Sequence, residues 1–401
     1  QYFIKFRLCM LCNGYKFDFV LPKWYSYNRI LLKRGMVTME NITCGFIGLG
    51  LIGGSIAKAL RAAYPKMRII AYDRDKATLK LAEADGVIND SFPYIGSQFG
   101  TCDIIFLCAP VSNNDENLLE LKQYLSPDAL LTDVGSVKTD IHEHIKAAGL
   151  EGQFIGGHPM AGSERTGYLN SKALLLENAY YILTPTESVS PEKVELYRKL
   201  VLGMNAIPLI LSCDQHDYIT AAVSHVPHVV SASLVNLVKN SDSKEHLMRM
   251  IAAGGFKDIT RISSSSAVMW QQICLTNRDN IVKLLDDYIT ELEKIREEVS
   301  EGKEQEIYDF FDSARVYRDT FSNSPSGPIK KNFSLKVDIP DQAGAIAKIV
   351  DLLSEHNLSI KNIGISHNRE YEEGLMFLEF YEEISHDAAF EVLTSHGYNV
   401  H

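Results

Sequence analysis

Residues 45–55 read Gly45-Phe46-Ile47-Gly48-Leu49-Gly50-Leu51-Ile52-Gly53-Gly54-Ser55, "GFIGLGLIGGS". Within it Gly48-Leu49-Gly50-Leu51-Ile52-Gly53 is a G-x-G-x-x-G that follows an apolar, strand-like run and opens onto a helical pattern. Three glycines at that spacing permit a tight turn, the close approach of a pyrophosphate, and tight helix–strand packing. A helix starting at Leu51 would aim its amides and dipole, through Leu51, Ile52 and Gly53, at the phosphates. Alone the motif is weak. Here Asp73 stands twenty residues after Gly53, at the end of the next strand-like run. A carboxylate there accepts from ribose hydroxyls and repels a 2′-phosphate, so the expected cofactor is NAD rather than NADP. Arg74 beside it is a cofactor-side residue that could stack on adenine or meet a phosphate.

Working outward, short apolar runs recur at "MRIIAYD" (67–73), "CDIIFLCAP" (102–110), "ALLTDVG" (129–135), "FIGG" (154–157), "AYYILTP" (179–185) and "AIPLILS" (206–212). Helical or polar stretches separate most of them. Runs apolar on both faces that alternate with helices predict a parallel sheet covered on both sides, a Rossmann-type α/β domain over residues 39–212. Pro110, at the end of one run, and Ser136, after another, are assigned to the cofactor side.

After Asp214 the strand signals stop until about Thr320. Ile281, Leu284, Leu285, Tyr288, Ile289, Leu292, Ile295 and Val299 follow the i, i+3, i+4, i+7 spacing of a long apolar stripe. An all-helical domain is expected over 213–322, with the stripe as a homodimer interface. "SNSPSGP" (322–328) is turn-rich, and a linker is expected over 323–331. Beyond it "FSLKVDI" alternates strictly and starts a βαββαβ order over 332–401.

Composition is that of an ordinary globular chain, with 46% hydrophobic and 23% charged residues. A net charge of -11 argues against nucleic acid as a main partner. No uninterrupted apolar run approaches the roughly 20 residues of a membrane span, so no membrane partner is expected. Seven scattered cysteines suit reduced thiols and a cytoplasmic location better than a disulfide framework. Cys9 and Cys12 form a C-x-x-C without a second pair, and His225 and His228 lack a third ligand, so no metal site is expected. Residues 1–38 differ from the rest: the first 35 carry seven Lys/Arg against the single acidic Asp18. They are read as an extension outside the domains, not native to them or disordered, with Met36 or Met39 as the natural start.

Gly156-Gly157-His158-Pro159-Met160-Ala161-Gly162-Ser163-Glu164 holds a histidine between a glycine pair and a proline. A stiff turn of that kind places a side chain at a strand end, where α/β proteins meet ligands. Together "GFIGLGLIGGS", "DVGSVK" (133–138), "GGHPMAGSE", "VSHVPH" (223–228) and "GGFKDITRI" (254–262) resemble prephenate dehydrogenases in order and spacing, from about residue 44 to residue 300. The tail resembles an ACT domain, an amino-acid-binding regulatory module of ferredoxin-like fold, at Ile339-Pro340-Asp341-Gln342-Ala343-Gly344.

The resemblance implies oxidative decarboxylation of prephenate with reduction of NAD+, and feedback inhibition by tyrosine. It makes His158 the catalytic base and Ser136 the residue that orients it, with a helix N-cap as the latter's structural alternative. Arg261 would hold a substrate carboxylate, His228 and Ser224 would contact the substrate, and the histidine would go with the keto-acid side chain of prephenate rather than the amino acid side chain of arogenate. Glu164 would lie at the site entrance, and Gly254 and Trp270 would shape the pocket. In the tail, Asp341, Gly344 and Asn362 would meet the effector. Arogenate, or both cyclohexadienyl substrates, is the principal alternative. β-Hydroxyacid or imine dehydrogenases share the domain pairing but lack this histidine turn. A non-catalytic NAD and amino-acid sensor would have no need of a positioned base.

Overall fold

The structure, a computed structural model, describes residues 39–163, 165–323, 333–340, 342–367 and 373–401. The extension 1–38, Glu164, Asp341 and all of the expected linker except Asn323 lie outside the described residues. The chain divides into two compact units. One comprises the residues up to Glu177 with Tyr181–Met204 and Ile210–His216, and the other comprises the remainder. The last division falls between His216 and Asp217, inside a helix, where the sequence pattern suggests 212/213. The helical segment and the C-terminal module fall within one unit.

Up to residue 210 the elements run β1 (Thr43–Ile47), α1 (Leu51–Ala63), β2 (Arg68–Tyr72), α2 (Lys76–Ala84), β3 (Asp90–Phe92), β4 (Ile104–Leu107), α3 (Val111–Lys122), β5 (Leu130–Asp133), α4 (Thr139–Ala147), β6 (Ile155–Pro159), β7 (Tyr180–Pro185), α5 (Pro191–Gly203) and β8 (Ile207–Ile210), of which Tyr180 and residues 207–209 count with the second unit. Five strands form a parallel sheet in the order β3-β2-β1-β4-β5. β4 and β5 are buried at every position, which is why both read as continuous apolar runs. Phe46 and Phe106 stack across the sheet with ring centroids 4.8 Å apart.

The expectation of one parallel sheet fails for the last three strands. They form a second sheet, β6-β7-β8, in which β6 runs antiparallel to β7. A parallel bridge joins Leu131 of β5 to Phe154, the residue just before β6. Apolar composition reports burial but not strand direction, so the sequence could not separate the two sheets. The short strand β3 has a largely polar sequence, Asp90-Ser91-Phe92, and gives no strand signal of its own.

Next come α6 (Cys213–Thr220), a π-helical turn (Ala221–His225), α7 (Val226–Ser241), α8 (Leu247–Ile251), α9 (Gly254–Thr260), α10 (Ala267–Thr276), α11 (Arg278–Glu301) and α12 (Glu304–Asn323). Pro227 sits in the first turn of α7, where its missing N–H is tolerated, and the π turn precedes it. Among the described residues the helical core holds Ala221, Val226 and Ile281, with Val230, Cys274, Leu284 and Leu285 against it. Of the expected stripe on α11, Ile281 is buried, whereas Ile289 is 50% and Val299 58% exposed. By length and composition Cys213–Ser241 could cross a membrane, with mean hydropathy 1.4 over its most apolar window. That is weak, since Asp214, Asp217 and Lys239 lie along it.

The C-terminal module comprises β9 (Phe333–Pro340), α13 (Ala345–Glu355), β10 (Ile360–His367), β11 (Glu373–Phe380) and α14 (Glu383–Ser395). Its antiparallel sheet has the order β10-β11-β9. The chain end returns to β9, with Val400 bridging Val337 and the Lys336 N–H donating to the His401 carbonyl at 3.0 Å. Leu335, Val337 and Ile339 are buried with Ile349 and Leu353 of α13, while Ser334 and Lys336 face outward. The strict alternation in the sequence is this one-sided burial.

Candidate active site

The glycine turn does what its spacing predicts, by three different means. Gly48 has φ +100°, and a Cβ there would sit 2.8 Å from the Ala109 nitrogen. A Cβ on Gly53 would lie 2.5 Å from the Gly48 carbonyl oxygen and 2.8 Å from Cys108 Cβ, so this glycine lets α1 pack against the strand ends. Gly50 is different: a Cβ there meets no protein atom within 4 Å. Gly50 is also the N-cap of α1 and offers no side-chain cap, which leaves the first amides of the helix for an anion. Asp73 Oδ2 accepts from the Leu49 N–H at 2.7 Å, and Oδ1 accepts from the Asp75 N–H at 2.8 Å. Each carboxylate oxygen keeps a further lone pair for a hydroxyl. Arg74 is exposed, and Pro110 caps the start of α3 at the end of β4.

His158 lies on β6, and the strand is held by a buried ion pair. Lys138 Nζ bonds Asp133 Oδ2 and donates to the Gly157 carbonyl at 2.8 Å. Asp133 Oδ1 accepts from the Gly157 N–H at 3.1 Å, and both charged side chains are almost wholly buried. The glycine pair is a packing requirement. A Cβ on Gly157 would sit 2.6 Å from the Asp133 carbonyl oxygen, and one on Gly156 would overlap Thr184 Oγ1. Tyr197 supports the same wall, its hydroxyl 3.0 Å from Thr132 Oγ1 and 2.9 Å from the Tyr181 hydroxyl. Burial pushes both phenols well above their ordinary pKa.

The ring of His158 has an unforeseen neighbour. Its Nδ1 is 2.8 Å from Nε2 of His216, a fully buried residue of α6. No hydrogen bond joins Ser136 to His158 among the described residues, and α4 begins at Thr139 with Lys138 in the N-cap position, so Ser136 is not that cap. Three residues of this site escape the sequence reading. Asp133 and Lys138 lie within "DVGSVK", where only the serine draws notice. His216 follows a helix-start signal, Ser212-x-x-Gln215, but nothing in the sequence says which ring it meets.

The second unit carries the other residues of the motifs. His228 stacks on Trp270 with ring centroids 3.8 Å apart, and its Nδ1–H donates to the Ser224 carbonyl at 2.9 Å. Burial lowers the His228 pKa most, the Ser224 carbonyl opposes this, and the Arg261 guanidinium lowers it further. Arg261 follows α9 in a short 3-10 turn that Ser231 ties to α7, through the Ile259 carbonyl at 3.0 Å and Ser263 Oγ at 2.6 Å. Trp270 Nε1 is buried without a hydrogen-bond partner among the described residues. A Cβ on Gly254 would meet no protein atom within 4 Å. His225 is structural: it is buried, with Nδ1 3.1 Å from Asn277 Nδ2. No group of three or more potential metal ligands occurs among the described residues.

In the C-terminal module Gly344 has φ +85° and caps the start of α13 beside open space. Asn362 lines a cleft of about 330 Å³ with Ser334, Gly364, Ile365, Phe377 and Glu379. Gly344 is not part of that lining.

An open glycine at an uncapped helix start, in a parallel sheet with a carboxylate just after the next strand, is the arrangement of an NAD-binding Rossmann-type domain. Residues 56–208 match the family model described as prephenate dehydrogenase, nucleotide-binding domain, and residues 212–313 match prephenate dehydrogenase, dimerization domain. The prephenate dehydrogenase of Bacillus subtilis is 38% identical over 83% of this chain and 90% of its own length. That of Lactococcus lactis is 34% identical over 83% and 92%. Among solved structures, the Aquifex aeolicus prephenate dehydrogenase in complex with hydroxyphenyl propionate and NAD+ is 30% identical, with a TM-score of 0.67 over 72% of this chain and 99% of that one. Synechocystis arogenate dehydrogenase is 31% identical, with a TM-score of 0.64 over 70% and 100%. The chain belongs to the prephenate dehydrogenase family.

Proposed function

We propose that the protein converts prephenate and NAD+ to 4-hydroxyphenylpyruvate, carbon dioxide and NADH. The observation that supports this most is His158, held on β6 by the Asp133–Lys138 pair through both backbone groups of Gly157. Bound NAD+ supplies the acceptor for the hydride that leaves C4 of the ring. His158 accepts a hydrogen bond from the C4 hydroxyl and stabilises the positive charge that builds there. Loss of the ring carboxylate as carbon dioxide then returns an electron pair to the ring, and the hydroxyl proton ends on the phenol. Arg261 captures a substrate carboxylate with its permanently charged, bidentate fork and takes no part in bond breaking. Ser136, Pro110 and the Gly48–Gly53 turn serve the cofactor side, and Ser224, Gly254 and Trp270 the substrate side.

The exposed apolar residues of α11, together with the match to a dimerization domain, support a homodimer. The C-terminal module acts as an ACT domain that binds tyrosine as feedback inhibitor, with Asn362 in the cleft as a contact.

One observation favours a second reading. Because His228 donates Nδ1–H to a carbonyl, its neutral ring presents Nε2 as an acceptor. An acceptor suits the ammonium group of arogenate, whereas a keto acid is better met by a charged ring. NADH formation with prephenate or arogenate, each with NAD+ or NADP+ and with or without tyrosine, tests both. Activity with prephenate and NAD+ that tyrosine reduces is expected. Activity with arogenate alone overturns the prephenate reading and leaves the chemistry of His158 intact.

A further inference from the structure

We propose that His216 is a positioning residue that fixes the tautomer of His158; the inference rests on His158 acting as the base. A neutral imidazole has one N–H and one lone pair, and the bond made by one nitrogen decides which the other carries. The His158 Nδ1 to His216 Nε2 contact of 2.8 Å therefore has two forms. If His216 donates, His158 Nδ1 is the acceptor and Nε2 bears hydrogen, which cannot take a hydroxyl proton. If His158 donates from Nδ1, its Nε2 carries the lone pair that a base requires. Imidazole in water favours the Nε2–H form, so the productive form needs an acceptor placed at Nδ1.

The turn of α6 that carries His216 is fixed on both sides, which holds its ring against Nδ1 of His158. Ser212 Oγ accepts from the Gln215 N–H at 3.2 Å, and Gln215 Oε1 accepts from the Ser212 N–H at 3.1 Å, a reciprocal cap that fixes the first turn of α6. The His216 N–H donates to the Ser212 carbonyl at 2.9 Å. Cys213 Sγ lies 3.6 Å from Thr139 Oγ1 and docks the same turn on α4. The rings meet edge to face at 66°, with centroids 5.0 Å apart.

The test combines spectroscopy with kinetics. In protein labelled with 15N-histidine, long-range 15N–1H spectra of the His158 ring, assigned by its loss in His158→Asn, should show hydrogen on Nδ1 and none on Nε2. His216→Phe, which removes the acceptor, should shift His158 to the Nε2–H form. Its kcat should fall roughly 10- to 100-fold, the usual cost of losing an orienting partner, with KM for NAD+ and substrate little changed. His216→Gln, whose Oε1 can replace Nε2, should recover most of that loss. Hydrogen on Nε2 in the wild type, an unchanged kcat in His216→Phe, or a KM that worsens as much as kcat falls would each overturn the proposal. The wild-type spectrum needs no substrate, so a mistaken substrate assignment leaves this test standing.

Discussion

At the residue scale, the three glycines of the turn separate cofactor binding from folding. Gly50→Ala adds a methyl group that meets no protein atom, so it should leave thermal stability unchanged and weaken NAD binding. Gly53→Ala drives a methyl group into the Gly48 carbonyl and Cys108, and should cost about 1–3 kcal/mol of stability as well as NAD affinity. Denaturation curves and NAD titrations on both variants check this, and equal stability losses would contradict it. The turn was legible because backbone geometry and clearance restrict Gly48 and Gly53 to glycine, and its acidic partner because Asp73 follows at a fixed spacing. His216 was not legible, because its partner lies 58 residues away and no local pattern encodes which ring it meets.

At the element scale, the Asp133–Lys138 pair joins the end of β5 to β6 and so sets the height of His158 above the sheet edge. Lys138→Met keeps the bulk of the stem and leaves the Asp133 carboxylate buried without its partner. It should cost about 3–5 kcal/mol, as broken buried pairs do, and lower kcat with it. Urea denaturation that matches wild type would contradict this. The alternating strand β9 and the amphipathic α11 were readable from spacing alone. The antiparallel course of β7 beside β6 was not, because apolar runs carry no direction.

At the scale of the whole molecule, the helical segment leaves apolar residues of α11 exposed among the described residues. Leu292 is 45% and Ile289 50% exposed on α11. Leu292→Asp should convert a dimer to single chains in sedimentation velocity, and a wild type that sediments as one chain would contradict the homodimer.

The most direct test of the account compares wild type with His158→Asn, measuring NAD binding and turnover on the same preparations. The account predicts unchanged NAD affinity and a kcat lower by about 10²–10⁴-fold, the span of a lost general base. A kcat that survives the substitution, or NAD binding lost along with turnover, would contradict it.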